Sequence, residues 1–104
     1  MNSFDLPAEI QNKLPDGYQI SPGVWLVLPE TKLNEMQTWI RVEDWYPTVL
    51  HRIIWFGDDG TGNFLGWDPD ALHAILWNPE DGDVPWKTGA VSSLWLFIQN
   101  DYRD

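Results

Sequence analysis

Seven carboxylates, Asp58, Asp59, Asp68, Asp70, Glu80, Asp81 and Asp83, fall between Ile53 and Trp86, a stretch without lysine or arginine. Residues of this type could do three kinds of chemistry. As oxygen ligands they could hold calcium, but the spacing of an EF-hand loop with its closing glutamate is absent. Another oxygen site would require Asp68, Asp70, Glu80, Asp81 and Asp83 to converge from separate loops. As a pair of carboxylates they could hydrolyse a glycoside. With 16 acids in the chain, however, chance pairs arise in any fold, and the pattern marks no pair as buried. As a field of uncompensated negative charge they could steer a basic protein. The third reading is the expectation here, with no catalytic residue, no metal and no cofactor. It requires the seven acids to share one face.

Other candidate chemistry is weaker. The run Gly57-Asp58-Asp59-Gly60-Thr61-Gly62 resembles a phosphate loop in its glycines, yet it contains two aspartates and no lysine follows it. A hairpin turn that needs glycine at positive φ explains the same residues. His51 and His73 each open a predicted strand. A zinc site would need a third ligand, and no serine sits in a nucleophile-elbow context. Both histidines are therefore read as strand-end residues.

Eight tryptophans in 104 residues need placing. Trp25, Trp55 and Trp95 lie in the most apolar runs and are expected in the core. Trp67, Trp77 and Trp86 lie in or beside the acidic segment and are expected to join the acids in binding a partner, where large aromatic side chains act as anchors. Exposed indoles could instead stack on sugars, which makes a carbohydrate- or small-ligand-binding module the alternative. A homodimer would also use them. A small hydrolase is a third possibility, and it requires a pocket around a carboxylate with a raised pKa.

The elements that must position these residues follow from patterning. Asp5 is the expected N-cap of a short helix carrying Leu6, Ile10 and Leu14, ended by Pro15-Asp16-Gly17. Ser21-Pro22-Gly23 reads as a turn. Val24 to Leu28 is a predicted strand, and Pro29-Glu30 opens a helix with an apolar stripe of Leu33, Met36 and Ile40. A loop around Trp45-Tyr46-Pro47 follows. Arg52–Phe56, Asn63–Trp67 and His73–Trp77 are predicted strands joined by short links, which implies an antiparallel meander. Asn78 to Gly89 reads as a polar loop. Val91 to Gln99 is expected to be a closing helix that turns Leu94, Phe97 and Ile98 inward, with an edge strand as the competing assignment. Together these describe one α+β domain over residues 1–104, a small antiparallel meander sheet with helices packed against it.

Composition sets the outer limits. An apolar fraction of 43% suffices for a single core. A formal net charge of −10 disfavours nucleic acid and anionic membrane surfaces, because too few cations are present to meet phosphates. The absence of cysteine excludes disulfides and thiolate chemistry and fits a reducing cytoplasm. Met1-Asn2-Ser3-Phe4-Asp5 shows no secretory n-region, and no apolar run approaches a membrane span.

The order of these segments resembles the SMI1/KNR4 family, or SUKH superfamily, most clearly from Ile53 to Gln99. Ile54 to Phe64 resembles its apolar strand, glycine-rich turn and aromatic strand. Ala74-Ile75-Leu76-Trp77-Asn78-Pro79-Glu80 is similar to its tryptophan-ending strand, and Ala90 to Ile98 to its closing helix. Leu6-Pro7 and Trp25-Leu26-Val27-Leu28-Pro29, each before a helix, fit the same pattern. Trp67-Asp68-Pro69-Asp70 stands where a simpler aspartate-ending strand is usual, and Asn78-Pro79 where an acid-histidine pair is usual. The resemblance implies an α+β domain without catalysis. It also implies an immunity protein of the bacterial type, which neutralises a cognate toxin by binding it.

Overall fold

The computed structural model describes residues 6–41, 52–81 and 85–101. Six strands form one sheet in chain order: β1 (Tyr18–Ser21), β2 (Val24–Val27), β3 (Ile54–Asp58), β4 (Phe64–Asp68), β5 (His73–Trp77) and β6 (Lys87–Gly89). All neighbours are antiparallel, which is the expected meander. Three helices, α1 (Ala8–Gln11), α2 (Glu30–Arg41) and α3 (Val91–Asp101), pack on it. Among the described residues no helix is long and apolar enough to cross a membrane.

Strand alternation sorts the core into two layers. Leu26, Phe56, Leu65, Ala74 and Leu76 meet Ile10 of α1 and Val91, Leu94, Trp95 and Ile98 of α3. The Trp95 indole N–H donates to the Leu26 carbonyl at 3.2 Å, so the buried ring keeps a polar partner. Phe97, expected inside, lies off the stripe set by Val91, Leu94 and Ile98 and is 38% exposed; Trp95 takes the inward place.

The second layer holds Ile53, Trp55, Ile75 and Trp77 beneath Met36 of α2. Trp55 and Trp77 lie 5.3 Å apart by ring centroid. Gly66 makes this possible: a Cβ there would come within 2.8 Å of the Trp55 ring and 2.5 Å of Ile53 Cγ2. α2 is tied to the sheet through Gln37, which is buried. Its side-chain oxygen accepts the Trp55 N–H at 2.9 Å, and its amide donates to the Trp55 carbonyl. The carboxamide stands in for a neighbouring strand at Trp55, beyond the β2–β3 contacts at Trp25–Asp58 and from the Leu28 N–H to the Phe56 carbonyl.

Several boundaries differ from expectation. α1 is shorter than predicted and has Pro7 at its N-cap; Asp5 lies outside the described residues. β3 and β4 run further than the apolar runs, to Asp58 and Asp68, because main-chain pairing continues through polar residues. β1 has no predicted counterpart, and β6 lies in the segment read as a polar loop. Trp25 is half-buried, not core. The Ile40 side chain, the Trp45-Tyr46-Pro47 loop and His51 lie outside the described residues.

Candidate functional site

The β3–β4 turn is organised by Asp59. Its carboxylate accepts the Thr61 N–H at 2.9 Å, the Thr61 hydroxyl at 2.8 Å, the Asn63 N–H at 3.2 Å and the Asn63 amide at 2.8 Å. Gly60, at φ +81°, and Gly62, at φ +102°, let the chain reverse around it. Asp59, expected on a binding surface, is accordingly buried at 7% exposure. The carboxylate folds the turn.

Asn63 passes this order outward. Its side-chain oxygen accepts the Trp86 indole N–H at 3.0 Å. Trp86 is 43% exposed and packs edge-on against Phe97 at 5.6 Å, with Lys87 Nζ 4.7 Å from the Phe97 ring centre. Trp86 is the one exposed tryptophan among the described side chains. Trp77, expected beside it on the surface, is 1% exposed beneath α2, packed on Trp55 and Phe64. Alternation along β5 turns its ring into the second layer, so it is core.

Asp58 occupies a different setting. The strand register aligns Trp25, Asp58, Phe64 and Trp77 across β2 to β5, and directly paired residues share a sheet face. Asp58 therefore sits in an otherwise aromatic row. It lines an open groove of about 430 Å³ with Leu28, Phe64 and, from α2, Lys32, Glu35 and Met36. The carboxylate is half-buried and accepts one hydrogen bond among the described residues, from the Gly60 N–H at 2.8 Å. Burial pushes the Asp58 carboxyl above its ordinary value; the Gly60 N–H opposes that shift and the Asp59 charge adds to it. Glu35 is exposed on the rim, 3.6 Å from Lys32 Nζ.

The opposite end of the sheet is built otherwise. Asp68 is 4% exposed and holds Arg52 with two bonds, to Nε at 3.1 Å and to Nη2 at 2.9 Å. It also accepts the N–H groups of Asp70 at 3.0 Å and Ala71 at 3.2 Å, which closes the β4–β5 turn. The Arg52 hydrogen bond holds the Asp68 carboxyl below its ordinary value; burial opposes it, and the two N–H groups and the Arg52 charge reinforce it. Asp70 is exposed and lies 3.6 Å from Arg52 Nε. Trp67 is half-buried against the first core layer.

The described acids are thus divided between the two ends of the sheet. Asp58, Asp59 and Glu80 lie at the Phe64 end of β4, and Asp68 and Asp70 at the other, roughly 13 Å away at about 3.3 Å per residue. Countercharge comes from Arg52, one residue before the segment that lacks cations. The Asp81 side chain and Asp83 lie outside the described residues. Among the described residues no group of three or more His, Cys, Asp or Glu is placed to hold a metal ion. Composition pointed to the acids but not to Arg52, Asn63, Phe64, Met36 or Phe97, whose parts depend on cross-strand register.

No protein-family model matches the chain, and no curated protein or solved structure matches it.

Proposed function

We propose that the chain is a non-catalytic binding protein of the immunity type, working in the cytoplasm. It neutralises a cationic toxin domain by covering it with the Phe64 end of the sheet. One observation carries this reading. Asp58 and Glu80, neither in an ion pair among the described residues, share that end with exposed Trp86, which Asn63 holds in place. A fixed aromatic anchor beside uncompensated carboxylates suits a basic surface. The resemblance to SMI1/KNR4 domains and the net charge of −10 support the same reading. Asp70 and Trp67, at the far end, are left outside this surface.

Pull-down with the chain as bait, followed by co-expression with the captured toxin domain, tests it. The expected result is restored growth and a one-to-one complex, with association slowed by D58N, E80Q and W86A and by added salt. Growth arrest without a complex would overturn it.

A hydrolase is the second reading, because Asp58 is a carboxylate with a raised pKa in a groove. It would need Glu35 or a substrate group as second reactant. Turnover of glycoside or ester substrates that is abolished by D58N would establish it in place of the first. A sugar platform would need two or more coplanar exposed indoles over a groove, whereas among the described side chains exposed Trp86 packs against Phe97.

A further inference from the structure

We propose that the groove between α2 and the β3–β4 hairpin is the seat of one arginine side chain from the basic partner. This rests on the reading of the Phe64 end as partner-facing and specifies what that end holds.

The groove has the two parts that such a side chain needs. Leu28, Met36 and Phe64 supply an apolar wall for the alkyl stem. Asp58 sits among them as a half-buried acceptor with one hydrogen bond among the described residues, so it retains lone pairs for a fork of N–H donors. Aromatic residues flank it on both neighbouring strands, Trp25 on β2 and Phe64 on β4. A planar guanidinium stacks on aromatic rings and pairs with carboxylates in the same pose. Phe64 is held in position by Trp55 and Trp77, each with its ring centre 6.3 Å from that of Phe64. The wall is therefore set before a ligand arrives. Glu35 on the rim is paired, among the described residues, with exposed Lys32, a contact of little strength that an incoming cation can exchange. An ammonium offers neither the plane nor the fork, so lysine fits less well.

The contrast with Asp68 supports this assignment. There the chain's own Arg52 already makes the two-pronged contact. At Asp58 no cation of the described chain does so.

The probe is N-acetyl-arginine-N-methylamide, titrated into the full chain and followed by backbone amide NMR. Shifts are expected to saturate in the millimolar range and to centre on Lys32, Glu35, Met36, Asp58 and Phe64. Binding should weaken at least about tenfold in D58N, the loss of one strong charge-assisted pair, and remain unchanged in D70N. E35Q, at an exposed position, should weaken it less. The norleucine analogue should not bind, and the lysine analogue should bind more weakly. Shifts spread over all exposed acids without saturation would overturn the proposal, as would equal binding of the lysine analogue or undiminished binding in D58N. The outcomes separate from those for the proposed function. A toxin complex without arginine-analogue binding sinks the groove alone. Analogue binding without any complex sinks the immunity reading.

Discussion

The two ends of β4 put the same side chain to opposite use. At Asp68 the carboxylate is buried, fully engaged by Arg52 and two main-chain N–H groups, and held below its ordinary pKa. At Asp58 it is half-buried, meets one N–H among the described residues, and is pushed above its ordinary pKa. Asp59, one residue on, is likewise buried and hydrogen-bonded, with partners drawn from its own turn. Negative charge density is therefore a poor guide to a binding surface. A carboxylate whose lone pairs are met inside the protein supports the fold. One that is desolvated without compensation has affinity left for a ligand.

Breaking the engaged carboxylates should cost most. D59A strips the β3–β4 turn of its acceptor and should lower the unfolding free energy by about 2–3 kcal/mol, measured by urea denaturation. D68N keeps the shape but loses the charge that holds Arg52, and a loss of about 1–2 kcal/mol is expected. A pH series sharpens the second case. Because the folded pKa of Asp68 is depressed, its stabilisation is present above the ordinary carboxylate range and is lost as pH falls through the folded value. D68N should therefore flatten the acid limb of the stability curve. D70N, at an exposed position near Arg52, should change stability by less than about 0.5 kcal/mol. A D70N effect as large as that of D68N would erase the distinction between the engaged and the exposed acid.

Much of this architecture was legible in the residues. The apolar runs at Ile54 to Phe56, Leu65 and Ala74 to Trp77 announced the central strands, and the short links between them announced the antiparallel order. β5 falls where its apolar run lies. The edge strands were not legible. β6 is Lys-Thr-Gly and β1 is Tyr-Gln-Ile-Ser, and each is defined by hydrogen bonds to a neighbour, not by its own periodicity. The candidate site was half legible. Acid-rich turns and Trp86 stood out, but sequence gives no measure of how many partners a carboxylate finds. Asp59 depends on Thr61 and Asn63, two common turn residues, and Asp68 on an arginine across the hairpin. Trp77 looked like a strand-end anchor, yet its register with Phe64 turns it under α2.

The most direct measurement is the pH-dependent stability of D58N beside wild type. The raised folded pKa of Asp58 means that the folded state holds its proton more tightly. Wild-type stability from this group therefore falls as pH rises from the ordinary carboxylate value through the raised one. Asparagine removes that penalty, so D58N is expected to be at least as stable as wild type at neutral pH, with this slope abolished. A D58N protein destabilised as much as D68N, with the slope retained, would show that Asp58 holds the fold and would contradict the division between the two ends.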